Sequence, residues 1–337
     1  MQIQNNHSLK NFNTFGIDAK CKRLIILESE DDIVDYFDNH NNGNKFLLLG
    51  GGSNLLIKKD LNYDVLMLTF KGIKIINDDE DSITLEVQAG ENWHKFVEFL
   101  VNNNYFGFEN LALIPGNVGT APIQNIGAYG VEQEKHFISL RGYSIESNQF
   151  ETYTKEQCQF GYRNSIFKSK LKGKFIITSV TYKLSKTDPP NLSYTELENY
   201  LIQHKLEATA KNVFDSVIYI RSNKLPSPSE LGNSGSFFKN PIITQIDFNR
   251  ILSEYSDLRG FPQNNGTIKI SAGWLIEKAG LKGYRVGDAA VYEKHALILV
   301  NYGNATGHDI WQIAEYVIET VFEKFRVRLE PEVNVVE

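Results

Sequence analysis

An apolar strand that runs directly into three consecutive glycines constrains this chain more than any other feature. Residues 47–54 read Leu-Leu-Leu-Gly-Gly-Gly-Ser-Asn. Backbone without side chains can approach a ligand closely, and consecutive N–H groups can wrap a diphosphate. The segment matches neither common phosphate loop, because no Gly-Lys-Ser/Thr follows and Leu55 stands where a dinucleotide fingerprint beginning at Gly50 needs its third small residue. On these residues alone, a flexible glycine turn and a diphosphate loop both stay open.

A second glycine-rich loop lies at residues 113–130, which read Leu-Ile-Pro-Gly-Asn-Val-Gly-Thr-Ala-Pro-Ile-Gln-Asn-Ile-Gly-Ala-Tyr-Gly. Its glycines allow close backbone approach, while its Gln, Asn and Thr side chains supply hydrogen-bond partners. A long loop inside a compact domain is more often functional than not. Two such loops favour a ligand that carries both a diphosphate and a ring system.

The order of apolar patterns predicts a mixed α and β protein. Strands are predicted at 22–27, 46–49, 65–68, 83–87, 137–146, 174–184 and 327–336. Helices are predicted at 29–37, from Asn92 onward, and at 194–203, 210–223 and 309–325. Ser29 with Asp32, and Thr154 with Gln157, have the spacing of capping boxes. The proline-containing segments 188–191 and 224–228 indicate a break and the junction into the last unit.

Composition excludes several classes of function. The 35 Lys and Arg residues against 41 Asp and Glu give a net charge of −6, which argues against a broad electrostatic grip on nucleic acid. The chain starts without a signal-like pattern, and no run approaches the ~20 apolar residues of a membrane span. Cys21 and Cys158 stand alone, and no His forms a zinc-ligand pattern. We therefore expect a cytoplasmic protein with reduced thiols and no structural metal.

The segment 233–241, Asn-Ser-Gly-Ser-Phe-Phe-Lys-Asn-Pro, places the hydroxyl of Ser236 in a glycine turn ahead of a bulky apolar pair. Gly235 allows backbone angles that are closed to other residues, and Phe237 and Phe238 can anchor the turn in a core. Such a turn can hold one polar atom still. Considered alone, the segment is most simply a strand-end turn in which Ser236 caps a neighbouring amide.

Two further segments carry charge among apolar residues. Arg163 lies within the segment 160–167, and its planar guanidinium suits a carboxylate or phosphate ligand, although an ordinary surface ion pair fits the sequence equally well. Near the C-terminus, Glu330 and Glu332 are two residues apart, so a strand would present both on one side and periodicity cannot choose between them. A solvent-facing position is the simpler interpretation of each carboxylate alone.

Taken together and in this order, these segments resemble the family of UDP-N-acetylenolpyruvoylglucosamine reductases, flavoenzymes of bacterial cell-wall synthesis. The segments 13–17, Asn-Thr-Phe-Gly-Ile, and 271–277, Ser-Ala-Gly-Trp-Leu-Ile-Glu, extend the match to nearly the whole chain. The segment 192–197, Leu-Ser-Tyr-Thr-Glu-Leu, resembles the extra loop of the type I subfamily, whose tyrosine closes over the substrate diphosphate. The joint pattern is specific, although no single segment is.

The resemblance implies an α+β fold, with an FAD-binding domain of the vanillyl-alcohol-oxidase (PCMH) type in two subdomains and a C-terminal α/β substrate-binding domain. The implied boundaries are 1–67 with 327–337 for the first subdomain, 68–218 for the second and 219–326 for the substrate-binding domain. The implied cofactor is non-covalent FAD, with NADPH as co-substrate. The residues implied to hold FAD are Gly50, Gly51, Gly52, Ser53, Asn54, Pro115, Gly116, Gly119, Thr120, Gln124, Asn125, Ile126, Gly127, Ala128, Tyr129 and Gly130.

The resemblance also implies a reaction, the reduction of UDP-N-acetylglucosamine enolpyruvate to UDP-N-acetylmuramate. NADPH would reduce FAD, flavin N5 would deliver hydride to the enolpyruvyl CH₂ carbon, and the adjacent carbon would be protonated. Arg163 and a Glu332 carboxyl kept protonated by burial would stabilise the charge that accumulates on the substrate carboxylate, each contact contributing about 3–4 kcal/mol. Ser236 would donate the proton, because a carbanion is basic enough to take one from a hydroxyl. The residues implied to bind substrate are Tyr162, Tyr194 as a lid, Lys224, Asn240, Phe261 and His295.

Two positions depart from the better-known type I members, which have tyrosine where this chain has Phe261 and glutamine where it has His295. The missing phenolic hydroxyl would weaken substrate binding by about 1 kcal/mol. Two other functions stay open: another FAD-dependent oxidoreductase, an alcohol or hydroxy-acid oxidase on the same scaffold, and a binding module without turnover. We expect a monomer that binds neither nucleic acid nor membrane.

Overall fold

Two compact units make up the computed structural model, which describes every residue from Met1 to Glu337. The first unit consists of Met1–His7, Cys21–Gly51 and Asn62–Asn223. The second consists of Ser8–Lys20, Gly52–Leu61 and Lys224–Glu337. The division into three domains, 1–67 with 327–337, 68–218 and 219–326, stays a prediction.

Strands and helices alternate along the chain, with short 3-10 turns between some of them. The strands are β1 (Gln2–Ser8), β2 (Lys20–Leu27), β3 (Phe46–Leu49), β4 (Leu55–Ile57), β5 (Leu61–Leu68), β6 (Ile73–Asp78), β7 (Ser82–Gln88), β8 (Gly127–Ala128), β9 (Val131–Glu132), β10 (Phe137–Ser144), β11 (Gln149–Thr154), β12 (Phe175–Ser185), β13 (Gly232–Ser236), β14 (Ile242–Ile243), β15 (Gly260–Pro262), β16 (Ile268–Ile270), β17 (Arg285–Val286), β18 (Ala289–Val291), β19 (Ile298–Asn301) and β20 (Asn334–Val336). The helices are α1 (Glu30–Asp35), α2 (Trp93–Asn102), α3 (Lys155–Cys158), α4 (Thr195–Gln203), α5 (Ala210–Lys224), α6 (Gln245–Glu254), α7 (Ala272–Lys278) and α8 (Gly307–Phe325).

The first unit is built on two sheets. A four-stranded sheet has the order β1-β2-β5-β3, and a five-stranded antiparallel sheet has the order β11-β10-β12-β7-β6. Strand β7 alternates buried and partly exposed residues, so Ile83, Leu85 and Val87 point into one core. The buried stripe of α2, which begins at Trp93 and Phe96, packs into the same core. Strand β3 pairs in parallel with β5 and ends at Leu49, directly before the triple glycine.

The second unit contains a four-stranded sheet of order β13-β19-β18-β17, a three-stranded sheet of order β14-β16-β15, and the parallel pair β20-β4. Helix α8 begins at a capping box, in which the hydroxyl of Thr306 accepts from Asp309 N and the Asp309 carboxylate accepts from Thr306 N. Its predicted apolar stripe is buried, namely Ile310, Ile313, Ala314, Val317 and Val321. None of the helices in the protein is long and apolar enough to cross a lipid bilayer.

The mixed α and β prediction is confirmed, and the structure differs from it at several places. Strand β1 was not predicted, because residues 2–8 are mostly polar and show no clean alternation. Helix α1 ends at Asp35 and continues as a single π turn over Tyr36–His40. The strand predicted at 327–336 is wrong over most of its length, since only Asn334–Val336 pairs as a strand and the preceding residues make one isolated bridge, Phe238 to Pro331.

Candidate functional site

The triple glycine meets the second glycine-rich loop within the first unit. A Cβ atom on Gly50 would lie 2.5 Å from Cγ2 of Thr120, and one on Gly51 would lie 2.8 Å from the Cα of Gly116. Because real Cβ atoms do not come this close to other atoms, the two loops approach each other more tightly than any side chain permits. Glycine is therefore required by space at these positions, because the second loop occupies the place of a side chain.

The remaining residues of the triple-glycine segment belong to the second unit. Gly52 has a left-handed φ of +63° and its carbonyl accepts a hydrogen bond of 3.1 Å from Thr14 N. The Ser53 carbonyl accepts from the Ser234 hydroxyl at 2.7 Å, and the Asn54 carbonyl accepts from Asn334 N at 3.1 Å. These bonds fix the segment against the serine-containing turn and the closing strand of the same unit.

The 115–130 loop is held by its own polar side chains. Thr120 donates its hydroxyl to the Asn117 carbonyl at 2.7 Å. The fully buried Asn125 donates its amide to Glu132 and to the Gly161 carbonyl, both at 3.3 Å. Backbone angles in the left-handed region occur at Asn125, Tyr129, Gly116 and Gly130. Of the other residues assigned to the cofactor, Gly119, Ile126 and Gly127 are buried, Gln124 and Ala128 are half-buried, and Pro115 is exposed.

Arg163 lies in a tight hairpin turn that is bonded to this loop. Gly161 and Asn164 exchange both backbone hydrogen bonds, and Arg163 between them has a left-handed φ of +52°. Its Nη2 atom donates to the Gly127 carbonyl at 2.7 Å. The buried Ser165 hydroxyl donates to the Ile123 carbonyl at 2.7 Å and anchors the end of the turn. The hydrogen bond to the Gly127 carbonyl and the conformation of the turn therefore fix the position of the Arg163 guanidinium.

The electrostatics around Arg163 involve two carboxyl groups on one short segment. Burial raises the pKa of Glu132, a hydrogen bond and negative charge from Glu134 raise it further, and the positive charge of Arg163 opposes both. Tyr162 is 48% exposed, and its ring centre lies 5.4 Å from the Arg163 guanidinium carbon. The turn thus presents one cation and one exposed aromatic ring side by side.

The predicted lid residue packs on the predicted cofactor loop. The rings of Tyr194 and Tyr129 meet edge to face, with centroids 5.1 Å apart. Buried Asn110 donates to the carbonyls of Tyr129 at 2.8 Å and Asn191 at 2.9 Å, so it ties the loop to the segment before Tyr194. Burial raises the pKa of Tyr129 to about 12, which keeps its hydroxyl neutral.

The serine-containing turn of the second unit is a β-bulge. From Asn233 to Ser236, β13 advances three residues while its partner β19 advances two, and Gly235 adopts a left-handed φ of +67°. Ser234 is buried, donates to Ser53 O and accepts from Leu55 N at 3.3 Å. The Ser236 hydroxyl is exposed and forms no hydrogen bond within the protein. The amide-capping role that the sequence allowed for Ser236 therefore belongs to Ser234.

The structure separates the two C-terminal glutamates and brings one of them to the serine-containing turn. Glu330 is exposed and forms an ion pair with Lys239 at 3.1 Å. Glu332 is half-buried, and its backbone N donates to the Phe237 carbonyl at 2.8 Å, one residue from Ser236. Ser236 and Glu332 thus lie close along adjoining backbone in the second unit, whereas Arg163 belongs to the first.

The other residues assigned to the substrate also lie in the second unit. Burial lowers the pKa of His295, and the nearby positive charge of Lys224, an exposed residue, lowers it further. Asn240 is half-buried and its Oδ1 accepts from Ala272 N at 3.0 Å, which helps to cap α7. Phe261 is 58% exposed on β15, directly opposite Lys269 of β16. Asn240 therefore stabilises the start of α7, and Lys224 and His295 interact electrostatically.

Three residues that position the site were missed by the sequence interpretation: Asn110, Ser165 and Ser234. For Asn110 a signal was present, because Glu109 and Asn110 interrupt the apolar run 106–114 and both are buried. Ser165 and Ser234 carry no such signal, because hydroxyls are common in turns and only the folded chain shows which carbonyl they meet.

The bare backbone of the first unit fits the diphosphate of FAD. Gly50 and Gly51 pack so closely on Thr120 and Gly116 that the two glycine-rich loops form one continuous backbone segment, and backbone of this kind receives anionic phosphate oxygens. Neither cysteine lies in the glycine loops, and both are buried, so neither is placed to tether a flavin covalently. The residues present therefore suit a cofactor held by backbone contacts.

Comparisons with known proteins agree with this geometry. Residues 21–144 match the family model of an FAD binding domain, and residues 227–336 match that of the UDP-N-acetylenolpyruvoylglucosamine reductase C-terminal domain. The chain is 49% identical to UDP-N-acetylenolpyruvoylglucosamine reductase of Flavobacterium johnsoniae, with 100% of each chain covered. It is 41% identical to the Pseudomonas putida protein of the same name, with 99% of each covered. The crystal structure of the reductase from Thermus caldophilus shares the fold, with a TM-score of 0.71 at 23% identity and full coverage of both chains.

Proposed function

The chain belongs to the UDP-N-acetylenolpyruvoylglucosamine reductase family, and on this premise we propose that it reduces UDP-N-acetylglucosamine enolpyruvate to UDP-N-acetylmuramate, with NADPH and FAD, in peptidoglycan precursor synthesis. The predicted family is confirmed, and the fold class is confirmed as an FAD-binding domain followed by the C-terminal domain of this family. The observation that carries the proposal for this chain is the exposed Ser236 hydroxyl, held on a rigid bulge with no partner of its own.

We propose that the two glycine loops hold FAD without a covalent bond. Gly50 and Gly51 with Gly116 and Thr120 would receive the diphosphate through backbone N–H groups, and the rest of the 115–130 loop, with Gly52, Ser53 and Asn54, would enclose the remainder. When bound, FAD takes a hydride from NADPH and supplies it through N5 to the CH₂ carbon of the enolpyruvyl group. The protein contributes position and electrostatics around that transfer.

Arg163 and Glu332 would bind the substrate carboxylate as charge accumulates there. The hydrogen bond from Arg163 to the Gly127 carbonyl and the left-handed turn around it hold the guanidinium in one orientation before substrate arrives. Preorganised donors of this kind contribute about 3–4 kcal/mol each to a transition state. Glu332, which is half-buried beside the serine-containing turn, would contact the same carboxylate.

Ser236 would then protonate the carbon next to the ether oxygen. Two features support the assignment: the hydroxyl is not engaged elsewhere, and the bulge with Gly235 and the buried Phe237 limits its movement. A hydroxyl is a weak acid, but the carbanion it would meet is a strong base. Tyr162, Tyr194, Lys224, Asn240, Phe261 and His295 would complete the substrate contacts, with Tyr194 closing over the diphosphate.

We further propose that the protein is a cytoplasmic monomer of the type I subfamily, with three domains bounded at 1–67 plus 327–337, 68–218 and 219–326. The short segment that carries Tyr194, packed on Tyr129, supports the subfamily assignment. Sedimentation of the purified protein at several concentrations tests the oligomeric state. A concentration-dependent shift to a dimer would contradict it.

The experiment that tests the function separates the two halves of the reaction. Purified protein should be yellow, NADPH should bleach its flavin absorbance under anaerobic conditions, and UDP-N-acetylglucosamine enolpyruvate should restore it while UDP-N-acetylmuramate forms. Protein reconstituted with FAD that is reduced by NADPH but not reoxidised by this substrate would overturn the proposal. Bleaching of the oxidised flavin by an alcohol or hydroxy acid, with formation of the carbonyl product, would instead favour another FAD-dependent oxidoreductase on the same scaffold.

A further inference from the structure

Positive charge is concentrated in one stretch of the first unit. Residues 157–187 contain seven Lys and Arg residues and no Asp or Glu, although the whole chain has a net charge of −6. The rest of the chain therefore carries a larger negative charge than the total indicates. A charge distribution that is separated in this way produces a local potential of opposite sign to the net charge.

The densest part of this stretch is residues 168–174, Lys-Ser-Lys-Leu-Lys-Gly-Lys, which we call the lysine-rich loop. Lys170, Lys172 and Lys174 are exposed, and none of the three forms an ion pair within the protein. Lys186, near the end of the same stretch, does pair with Asp78. The lysine-rich loop therefore presents three positive charges to solvent without a bound carboxylate.

The backbone of the lysine-rich loop is fixed by hydrogen bonds and by the core. The Ser169 hydroxyl donates to the Ser165 carbonyl at 3.0 Å. The buried ring of Phe167, directly before the loop, packs on that of Phe175 directly after it, with centroids 5.3 Å apart. The loop is thus held at both ends, and its lysine side chains extend from backbone in a defined position.

Contacts join the lysine-rich loop to the turn that carries Arg163. Lys168 Nζ donates to the Arg163 carbonyl at 3.3 Å. Ser165, between these two residues, donates to the Ile123 carbonyl of the second glycine-rich loop. Because the potential of an exposed charge extends over about 10 Å at 0.1 M ionic strength, the loop acts on anions that approach the Arg163 turn.

We propose that the lysine-rich loop attracts anionic nucleotides toward the Arg163 turn and raises their rate of association. The net negative charge of the chain repels such ligands, and a local region of positive potential offsets that repulsion along one approach. Attraction of this kind acts before the ligand is bound, so it requires no direct contact between a lysine and a phosphate. It increases the rate at low ligand concentration and leaves the chemical step unaltered.

This proposal rests on the proposed function, which supplies two ligands of the required charge. NADPH and UDP-N-acetylglucosamine enolpyruvate both carry a diphosphate, and each has a further anionic group. Long-range attraction therefore predicts the same direction of effect in both half-reactions. It also predicts that the effect disappears at high salt, because the screening length falls from about 30 Å at 0.01 M to about 3 Å at 1 M.

The test compares wild type with a double variant, Lys170→Gln with Lys172→Gln. The control, Lys205→Gln with Lys211→Gln, removes two other exposed lysines of the same unit and changes the net charge equally. Stopped-flow absorbance of the FAD-loaded proteins gives the second-order rate constant at low NADPH and the limiting rate at saturation. At 0.01 M ionic strength, the Lys170 and Lys172 variant should show a second-order rate constant lower by about threefold or more, with the limiting rate unchanged.

The same variant should be reoxidised more slowly by low concentrations of the enolpyruvyl substrate, again by about threefold or more at 0.01 M ionic strength. At 1 M ionic strength both differences from wild type should vanish. The control should show less than half of the decrease at low salt. Lys170→Glu with Lys172→Glu should enlarge the effect, because it reverses the two charges instead of removing them.

Several results would overturn the proposal. Equal second-order rate constants in wild type and the Lys170 and Lys172 variant would do so, as would an equal decrease in the control, which would assign the effect to net charge alone. A decrease confined to one nucleotide, or one that persists at 1 M ionic strength, would indicate direct contact instead of long-range attraction. If the enolpyruvyl substrate fails to reoxidise the wild-type flavin, the proposed function fails, while the reduction by NADPH still tests the lysine-rich loop.

Discussion

Glycine serves two different physical purposes in the two units. In the first unit, Gly51 is required by space, because a Cβ would lie 2.8 Å from the backbone of Gly116. In the second unit, Gly235 has no atom within 4 Å of a Cβ position and is required by its left-handed φ of +67°. The first arrangement removes side chains so that two backbone segments can pack together. The second turns the backbone so that one side chain, Ser236, can face a ligand.

The polar groups of the two regions follow the same contrast. In the glycine loops, Asn125, Thr120 and the neighbouring Ser165 are all engaged in hydrogen bonds that fix the backbone. In the serine-containing turn, the Ser234 hydroxyl forms hydrogen bonds that fix the backbone, and the Ser236 hydroxyl forms none within the protein. Loops whose polar side chains fix the backbone are suited to hold a cofactor in one position, whereas a hydroxyl without a hydrogen-bond partner on a fixed turn is suited to proton transfer.

Ser236→Ala should slow reoxidation of the flavin by the enolpyruvyl substrate by about 10²- to 10⁴-fold, the usual contribution of a positioned acid. Reduction by NADPH should be nearly unchanged, because the hydroxyl has no part in holding the fold. Ser234→Ala is the matched control. It should lower the free energy of unfolding by about 1–3 kcal/mol, because Leu55 N and the Ser53 carbonyl lose their partner. Stopped-flow absorbance of each half-reaction and chemical denaturation measure both quantities.

Two results would contradict the proton-donor role of Ser236. Equal slowing of both half-reactions in Ser236→Ala, or a loss of stability like that of Ser234→Ala, would assign Ser236 a structural role. The comparison between the glycine loops and the serine-containing turn would then lose its chemical meaning.

Gly51→Ala should weaken FAD binding, whereas Gly235→Ala should lower only the stability of the protein. The added methyl on Gly51 meets backbone, which cannot rotate away, so we expect a cost of about 1–3 kcal/mol and at least a tenfold weaker affinity for FAD. At Gly235 the methyl meets nothing, and the cost is the left-handed conformation alone, about 1–2 kcal/mol of stability with FAD affinity unchanged. Titration of the FAD-stripped variants with FAD measures the difference. Equal FAD affinity in the two variants would contradict the spatial argument.

The sequence predicted many of the longer elements because their signals are local. The alternation of Ile83, Leu85 and Val87 and the stripe of α8 depend only on residues a few positions apart, and both were found where predicted. The closing strand shows the limit of this approach. Val327, Leu329 and Val333 alternate and are buried, yet no neighbouring strand pairs with residues 327–330, and pairing is a long-range property.

The candidate site was less accessible to local reasoning for the same physical cause. Ser234 and Ser236 flank one glycine and look alike in sequence, and they differ only because the bulge directs Ser234 to the backbone of 53–55. Glu330 and Glu332 could not be told apart until Lys239 was seen to pair with Glu330. Resemblance to a family supplied the assignments that spacing could not.

Acid should destabilise the protein through His136, which lies in the first unit shortly after the 115–130 loop. Burial lowers the pKa of His136 to about 4, and its Nε2 has no partner. An unfolded histidine titrates near 6.5, so the unfolded state binds the proton first as pH falls. Between pH 7.5 and pH 5 the free energy of unfolding should drop by about 2 kcal/mol from this residue. His136→Phe should remove that part of the pH dependence, as measured by urea denaturation at each pH. An identical slope in wild type and variant would exclude this source.

The smallest expected effect concerns Phe261, the position at which this chain lacks a phenolic hydroxyl. Phe261→Tyr should tighten binding of the enolpyruvyl substrate by up to about 1 kcal/mol, or roughly fivefold, because the new hydroxyl can replace one water-mediated contact with a direct hydrogen bond. The ring is 58% exposed, so the added oxygen meets no steric obstacle in the protein. FAD affinity should not change, because position 261 belongs to the second unit and Gly50 and Gly51 belong to the first. Phe261→Leu is the control that removes the ring and should weaken substrate binding. If Phe261→Tyr changes the Kd for FAD and leaves the Kd for the substrate unaltered, position 261 does not contribute to substrate binding and this prediction is wrong.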